Sequence, residues 1–222
     1  WVLMDEKSGI LRAALEALWE EHGRPERDGD DDLLGLLVRM MLGQATSKAN
    51  ASQAFANLLD RFEGDWRLVE LAAVEEVAGT IAVGGLSEQK APRIQAVLSR
   101  ALADFGEYTL EPLREREPAA ALDYLLSLPG VGPTTARFAL MDAAGMDVFP
   151  MNGGIRRVLD RLAVLSKSEP DKRAHELVAQ LLPAGWSYAA HMTLVAHARA
   201  KCRKTPLCDE CVLSRCAARK AD

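Results

Sequence analysis

Three observations predict an all-α fold for this sequence. Apolar residues recur at intervals of three and four, as in Leu11, Leu15 and Leu18 or Leu122, Leu125 and Leu126. That spacing places them on one face of a helix. Glycine and proline punctuate these stretches at short intervals, at Gly84-Gly85, Pro118, Pro170-Asp171, and Pro183 with Gly185. No run alternates apolar and polar residues for long enough to make a half-buried strand. The pattern resolves into roughly ten helices, with 23–32, 105–118 and 166–171 as the main loops. Neither an internal repeat nor a low-complexity segment interrupts it.

The 222 residues are 49% hydrophobic and 27% charged, ordinary values for a chain with a real core. They exclude a disordered chain and a disulfide-dominated miniprotein. The most apolar stretch, Leu33–Leu42, is interrupted by Arg39 and falls far short of the ~20 residues that span a bilayer. No membrane partner is therefore expected. Trp1-Val2-Leu3-Met4 is too short for the apolar centre of a signal peptide, so a cytoplasmic location is expected. The net charge of −5 argues weakly against a nucleic-acid partner. The charge is unevenly spread, however. Asp28, Asp30, Asp31 and Asp32 cluster early, whereas Arg199, Lys201, Arg203, Lys204, Arg215, Arg219 and Lys220 crowd the end against only Asp209 and Glu210. Such a split can build one basic face on an acidic protein.

Leu128-Pro129-Gly130-Val131-Gly132 separates two helical patterns, 119–127 and 133–144. Gly130 and Gly132 permit the positive φ and close backbone approach of a tight helix–helix turn. Pro133 suits the first position of the second helix, where its missing N–H costs nothing. The N–H groups of such a turn can hold a phosphate oxygen. This is the physics of a helix–hairpin–helix, which grips the DNA backbone without reading sequence; a plain helix turn is the competing reading.

All four cysteines lie near the end, as Cys202-x5-Cys208-x2-Cys211-x4-Cys216. In a reducing compartment such crowding marks a metal or cluster site rather than disulfides. A structural zinc prefers two well-separated Cys-x2-Cys pairs, and here only one close pair exists. A [4Fe–4S] cluster held by four thiolates fits the compact loop better; zinc stands as the alternative. His22, His175, His191 and His197 show no ligand-like spacing and are expected to be ordinary surface or packing residues.

A hairpin near the middle followed by a four-cysteine loop resembles the endonuclease III branch of the helix–hairpin–helix DNA glycosylases, over 33–216 of the chain. Met41-Leu42-Gly43-Gln44-Ala45-Thr46-Ser47 resembles the family loop whose glutamine fills the gap left by an extruded base. Gly85-Leu86-Ser87-Glu88-Gln89-Lys90-Ala91 resembles the loop whose leucine wedges into the duplex. The resemblance implies a two-lobed architecture: a six-helix lobe over 25–145, with the helix–hairpin–helix at 119–144, and a cluster lobe of 1–24 with 146–222. It implies that duplex DNA, damaged or abasic, is the partner of a monomer. The target base would be flipped out of the stack into a cleft between lobes, because its glycosidic bond is otherwise unreachable.

The resemblance also locates two departures. Aligning Arg157-Val158 on the family's Arg-Val pair puts Asn152 where the family carries its catalytic aspartate. That carboxylate stabilises the charge developing on the sugar. A unit charge pair at ~4 Å and effective dielectric near 20 is worth roughly 4 kcal/mol, or about a thousandfold in rate. Counting from Gly132, Thr134 stands where bifunctional members carry the Schiff-base lysine, and a hydroxyl forms no imine. No lysine occurs between Leu128 and Ser166. The lyase step is therefore expected to be absent and base release weak or absent. Two routes would restore an acid: Asp147 swinging in, or deamidation at Asn152-Gly153. Each loop flanking the close cysteine pair is one residue shorter than in the family, so a cluster is expected in a shifted, more exposed position.

Gln44 and Leu86 are read as duplex probes, and Arg199, Arg203 and Lys204 as phosphate contacts. Lys90 and Arg93 are read as a solvated helix face, and Trp186 and Tyr188 as core or core-edge aromatics. Three functions follow. One is a lesion-binding glycosylase homologue. Another is a monofunctional glycosylase with a re-sited acid. The last is a cluster-bearing redox or scaffold protein without DNA recognition.

Overall fold

The computed structural model describes residues 2–28, 32–213, 216 and 219. Asp30 and Asp31 of the acidic cluster, and Arg215 and Lys220 of the basic one, lie outside the described residues. The described residues form eleven α-helices and three short 3-10 turns, with no strand. In chain order the first are α1 (Val2–His22), α2 (Leu33–Leu42), α3 (Lys48–Arg61), α4 (Trp66–Leu71), α5 (Val74–Thr80) and α6 (Ser87–Phe105). They continue as α7 (Pro118–Ser127), α8 (Pro133–Asp142), α9 (Gly153–Arg161), α10 (Asp171–Leu181) and α11 (Ser187–Ala200). Among the described residues no helix is long and apolar enough to cross a membrane. The chain divides into two compact units, Gly29–Met146 and Trp1–Asp28 with Asp147–Asp222.

The unit Gly29–Met146 is organised by α2, in which every residue except Arg39 and Met40 is buried. A helix that is apolar all round must be enclosed, and α3, α6 and α8 enclose it. Asp32 caps its start, the carboxylate accepting from the N–H groups of Leu34 at 3.2 Å and Gly35 at 2.8 Å. A Cβ on residue 35 would come within 2.6 Å of that carboxylate, so the glycine makes room for the cap. The Leu33 N–H donates to Glu111 Oε1 at 3.0 Å. Glu111 belongs to a 3-10 turn, Glu111–Glu115, inside the segment expected to be plain loop. That turn is held by the Glu111–Arg114 ion pair, and Arg114 reaches on to the carbonyl of Ala143.

The other unit packs α1 against α10 and α11, and α9 against α11. Leu11, Leu15 and Leu18 of α1 are buried with Phe149, Ile155, Leu159, Val178 and Leu194 in one apolar cluster. Trp186 packs at its edge against Trp19, ring centroids 4.7 Å apart, with the Arg24 guanidinium over both rings. Two of the histidines do more than pack. His191 Nδ1 lies 2.8 Å from the Pro150 carbonyl and His175 Nδ1 lies 3.3 Å from that of Phe149. A carbonyl only accepts, so both rings donate through Nδ1. Together they brace the extended strip leading into α9.

Burial pushes the pKa of His191 down to about 4, against the opposing pull of the Pro150 bond. The unfolded chain therefore binds this proton near pH 6.5, before the folded chain does. Stability is complete above that pH and is lost as pH falls toward 4. We expect His191 to remove about 2 kcal/mol between about pH 7 and 5. Urea unfolding at both pH values, with His191→Phe showing a flatter pH slope than wild type, checks this.

Candidate functional site

The hairpin sits between α7 and α8. Leu128 and Val131 turn their side chains into the core, at 3% and 7% exposure, so only their backbone is left for a phosphate. Gly130 has φ +79°, and a Cβ there would come within 2.8 Å of Arg93 Cδ. Conformation and space both demand glycine at this position. Gly132 differs from expectation. Its φ of −92° and ψ of 170° are ordinary extended backbone, and it serves as the N-cap of α8. Thr134 is in the first turn of α8, half-buried.

The loops that carry Gln44 and Leu86 lie in the same unit as this hairpin. Gln44 follows the end of α2, and its Nε2 donates to the Gly130 carbonyl at 2.9 Å. Leu86 is 53% exposed and adopts a left-handed conformation, φ 52° and ψ 30°, at the start of α6. Its left-handed backbone carries strain of order 1–3 kcal/mol, which Ala45, Glu63 and Ala163 share. Lys90 corrects the expectation of a solvated face. It is 3% exposed, and its ammonium donates to the carbonyls of Leu42 at 2.7 Å and Gly84 at 2.9 Å. Burial pulls its pKa down. Arg93 is exposed as expected, but its stem lies against Gly130.

In the other unit, Asn152 is the exposed N-cap of α9. Its Oδ1 accepts from Gly154 N at 2.9 Å and Ile155 N at 3.0 Å. A cavity beside it is lined by Asn152, Gly153, Gly154, Arg157, Val195, Ala198 and Arg199. These lining residues carry two guanidinium groups and no carboxylate. Asp147 is engaged elsewhere: its carboxylate accepts from Gly185 N at 2.7 Å and Ser187 N at 3.3 Å, at the start of α11.

Arg199 thus joins Asn152 rather than the cysteine loop. Arg203 folds back, Nε donating to the carbonyls of Arg199 and Ala200 at 3.1 Å each, and Lys204 is exposed. Cys202, Cys208, Cys211 and Cys216 line one largely apolar cavity together with Leu162, Leu207 and Leu213. Among the described residues no three His, Cys, Asp or Glu converge where one ion could sit. Arg161 Nη1 donates to Cys202 Sγ at 3.2 Å and to the Arg203 carbonyl at 2.7 Å. Arg157 Nε donates to the Cys202 carbonyl at 2.9 Å. Burial first, then the neighbouring sulfurs, push the Cys211 thiol up. Neither Arg157 nor Arg161 is among the site residues expected from the sequence. Their four-residue spacing on α9 was the available signal.

The model of the HhH-GPD superfamily of base excision DNA repair proteins matches residues 38–184. The chain belongs to this superfamily. DNA glycosylase/AP lyase ROS1 of Arabidopsis thaliana is 32% identical over 119 residues, covering 54% of this chain but only 8% of the plant protein. Endonuclease III of Thermotoga maritima is 26% identical over 190 residues, 85% of this chain and 84% of that one. A solved non-covalent endonuclease III–DNA complex superposes with TM-score 0.80 at 19% identity, covering 95% of each chain. The all-α architecture is therefore the HhH-GPD DNA glycosylase fold.

Within that fold the two hairpin glycines respond differently to a methyl group. Gly130→Ala forces a left-handed alanine, costing roughly 1–2 kcal/mol, and pushes on the Arg93 stem. Gly132→Ala meets nothing within 4 Å; the poorer N-cap residue and the stiffer unfolded chain oppose each other, so the net change is expected to stay under about 0.5 kcal/mol. Urea unfolding of both variants tests the distinction.

Proposed function

We propose that this HhH-GPD protein binds damaged or abasic duplex DNA as a monomer in the cytoplasm, without AP lyase activity and with base release weak or absent. The observation that carries the reading is the cavity at Asn152, where the position aligned with the family's carboxylate holds an uncharged amide. The Asn152 oxygen accepts two backbone N–H bonds and its NH2 end bears no charge. The lining guanidinium groups of Arg157 and Arg199 favour an anionic phosphate and oppose a developing cation on a sugar. Asp147 is fixed by two bonds of its own, which speaks against a re-sited acid.

Duplex binding is supported by the strained, exposed Leu86, by Gln44 beside the hairpin, and by the DNA-bound state of the structural relative. The lesion base would be flipped out while Leu86 and Gln44 occupy the disturbed stack. The acidic net charge does not oppose this, since the hairpin holds phosphate by backbone N–H groups.

The cysteine cavity supports a [4Fe–4S] cluster. The four sulfurs line one pocket, and four thiolates on a compact loop are the ligand set of such a cluster, with zinc as the alternative. Arg161, Lys201 and Arg219 around the pocket suit the net negative charge of a cluster with four thiolates. Cys202, Cys208, Cys211 and Cys216 would hold it, and the group when bound would supply a rigid anionic staple for the loop. Arg157 and Arg161 fasten that loop to α9.

In single-turnover assays on duplexes with oxidised pyrimidines, uracil or mismatched purines, wild type is expected to release no base at an appreciable rate. Asn152→Asp should raise release by up to about a thousandfold. Rapid wild-type release sinks the reading, as does a borohydride-trapped covalent adduct. Anaerobically purified protein is expected to contain about four irons per chain; stoichiometric zinc with no iron would reassign the cavity.

A further inference from the structure

We propose that Lys90 is a positioning residue that locks the Gln44 loop and the Leu86 loop at one spacing, so that the two probe a duplex as a single device. This rests on the lesion-binding reading above and adds a residue to it. The two carbonyls that Lys90 Nζ grips, Leu42 and Gly84, each stand two residues before a probe. Leu42 ends α2 just ahead of Gln44, and Gly84 closes a 3-10 turn just ahead of Leu86. One ammonium thus ties the roots of both loops.

The same residue holds the wedge a second time through its backbone. The N–H groups of Gln89 and Lys90 donate to the Leu86 carbonyl at 3.0 and 2.9 Å, which keeps the left-handed Leu86 at the head of α6. Gly84 has little freedom, because a Cβ there would sit 3.1 Å from Ala54 Cβ. On the other side, Gln44 donates to Gly130. A continuous path therefore runs from the wedge through Lys90 and the end of α2 to the hairpin. Lysine suits this post chemically. A buried ammonium offers three donors and no acceptor, and charge-assisted bonds to carbonyls are short and directional. A methionine would fill the space and leave both carbonyls unpaired.

The test uses a duplex with 2-aminopurine opposite an abasic-site analogue, whose fluorescence rises when the base is unstacked. Wild type, Lys90→Met and Lys90→Gln are compared for that rise, and for affinity toward the lesion duplex and an intact one. Lys90→Met is expected to lose most of the rise and about tenfold of its lesion preference. Its affinity for intact duplex should change less than about twofold, since the hairpin N–H groups are untouched. Lys90→Gln keeps one donor group and should recover part of both signals. It also decides the matter if Lys90→Met does not fold. A variant with the full wild-type rise and preference overturns the proposal. Equal weakening on both duplexes overturns it too, by showing a merely structural role. A wild type with neither signal overturns the lesion-binding reading and this inference with it.

Discussion

Enclosure of α2 is the constraint from which the rest of the unit Gly29–Met146 follows. A ten-residue helix with only Arg39 and Met40 outside the core must have neighbours on every side. Those neighbours are the helices that carry the hairpin and the wedge. Both ends of α2 then become fixed points. Asp32 and Glu111 satisfy the first N–H groups. At the far end the Gly43 N–H closes back on the carbonyls of Arg39 and Met40, and the Leu42 carbonyl is left for Lys90. An apolar helix thereby sets where two polar contacts, Gln44 to Gly130 and Lys90 to Leu42, are made.

The second unit solves a different problem, the attachment of a cysteine loop with little regular structure. Among the described residues beyond α11 there is one 3-10 turn, Cys208–Glu210. Arginines on α9 compensate by hydrogen-bonding to the carbonyls of Cys202, Arg203 and Lys204. Guanidinium groups are suited to this because each offers several donors in a rigid fork. The same helix has Asn152 as its N-cap. An amide at that cap preserves the hydrogen bonds that an aspartate would make to the helix start. It carries no charge.

Much of this was legible in residue order, for identifiable reasons. The hairpin is written in Gly130 and Pro133, because few residues tolerate those backbone conformations. Clustered cysteines are similarly explicit, since thiolates at short spacing have few other uses. Lys90 was not legible. On a helix whose moment is read from composition, a lysine between Gln89 and Ala91 looks solvent-facing. Its burial depends on carbonyls contributed by residues 42 and 84, which local pattern cannot bring together. Gln44 was read as a probe, yet its bond to Gly130 spans a long sequence separation and was equally invisible.

Residue order alone determined the all-α class and the hairpin turn, and it singled out the four cysteines, Asn152 and Thr134, because each is a matter of residue type and short-range spacing. Tertiary structure decided which polar groups are spent and which are left. It ties Asp147 to the start of α11, folds Arg203 back onto the end of α11 and buries the Lys90 ammonium. The bonds of Asp147 and the Lys90–Leu42 bond join partners distant in sequence. Desolvation makes such pairings obligatory only once the helices have closed around them.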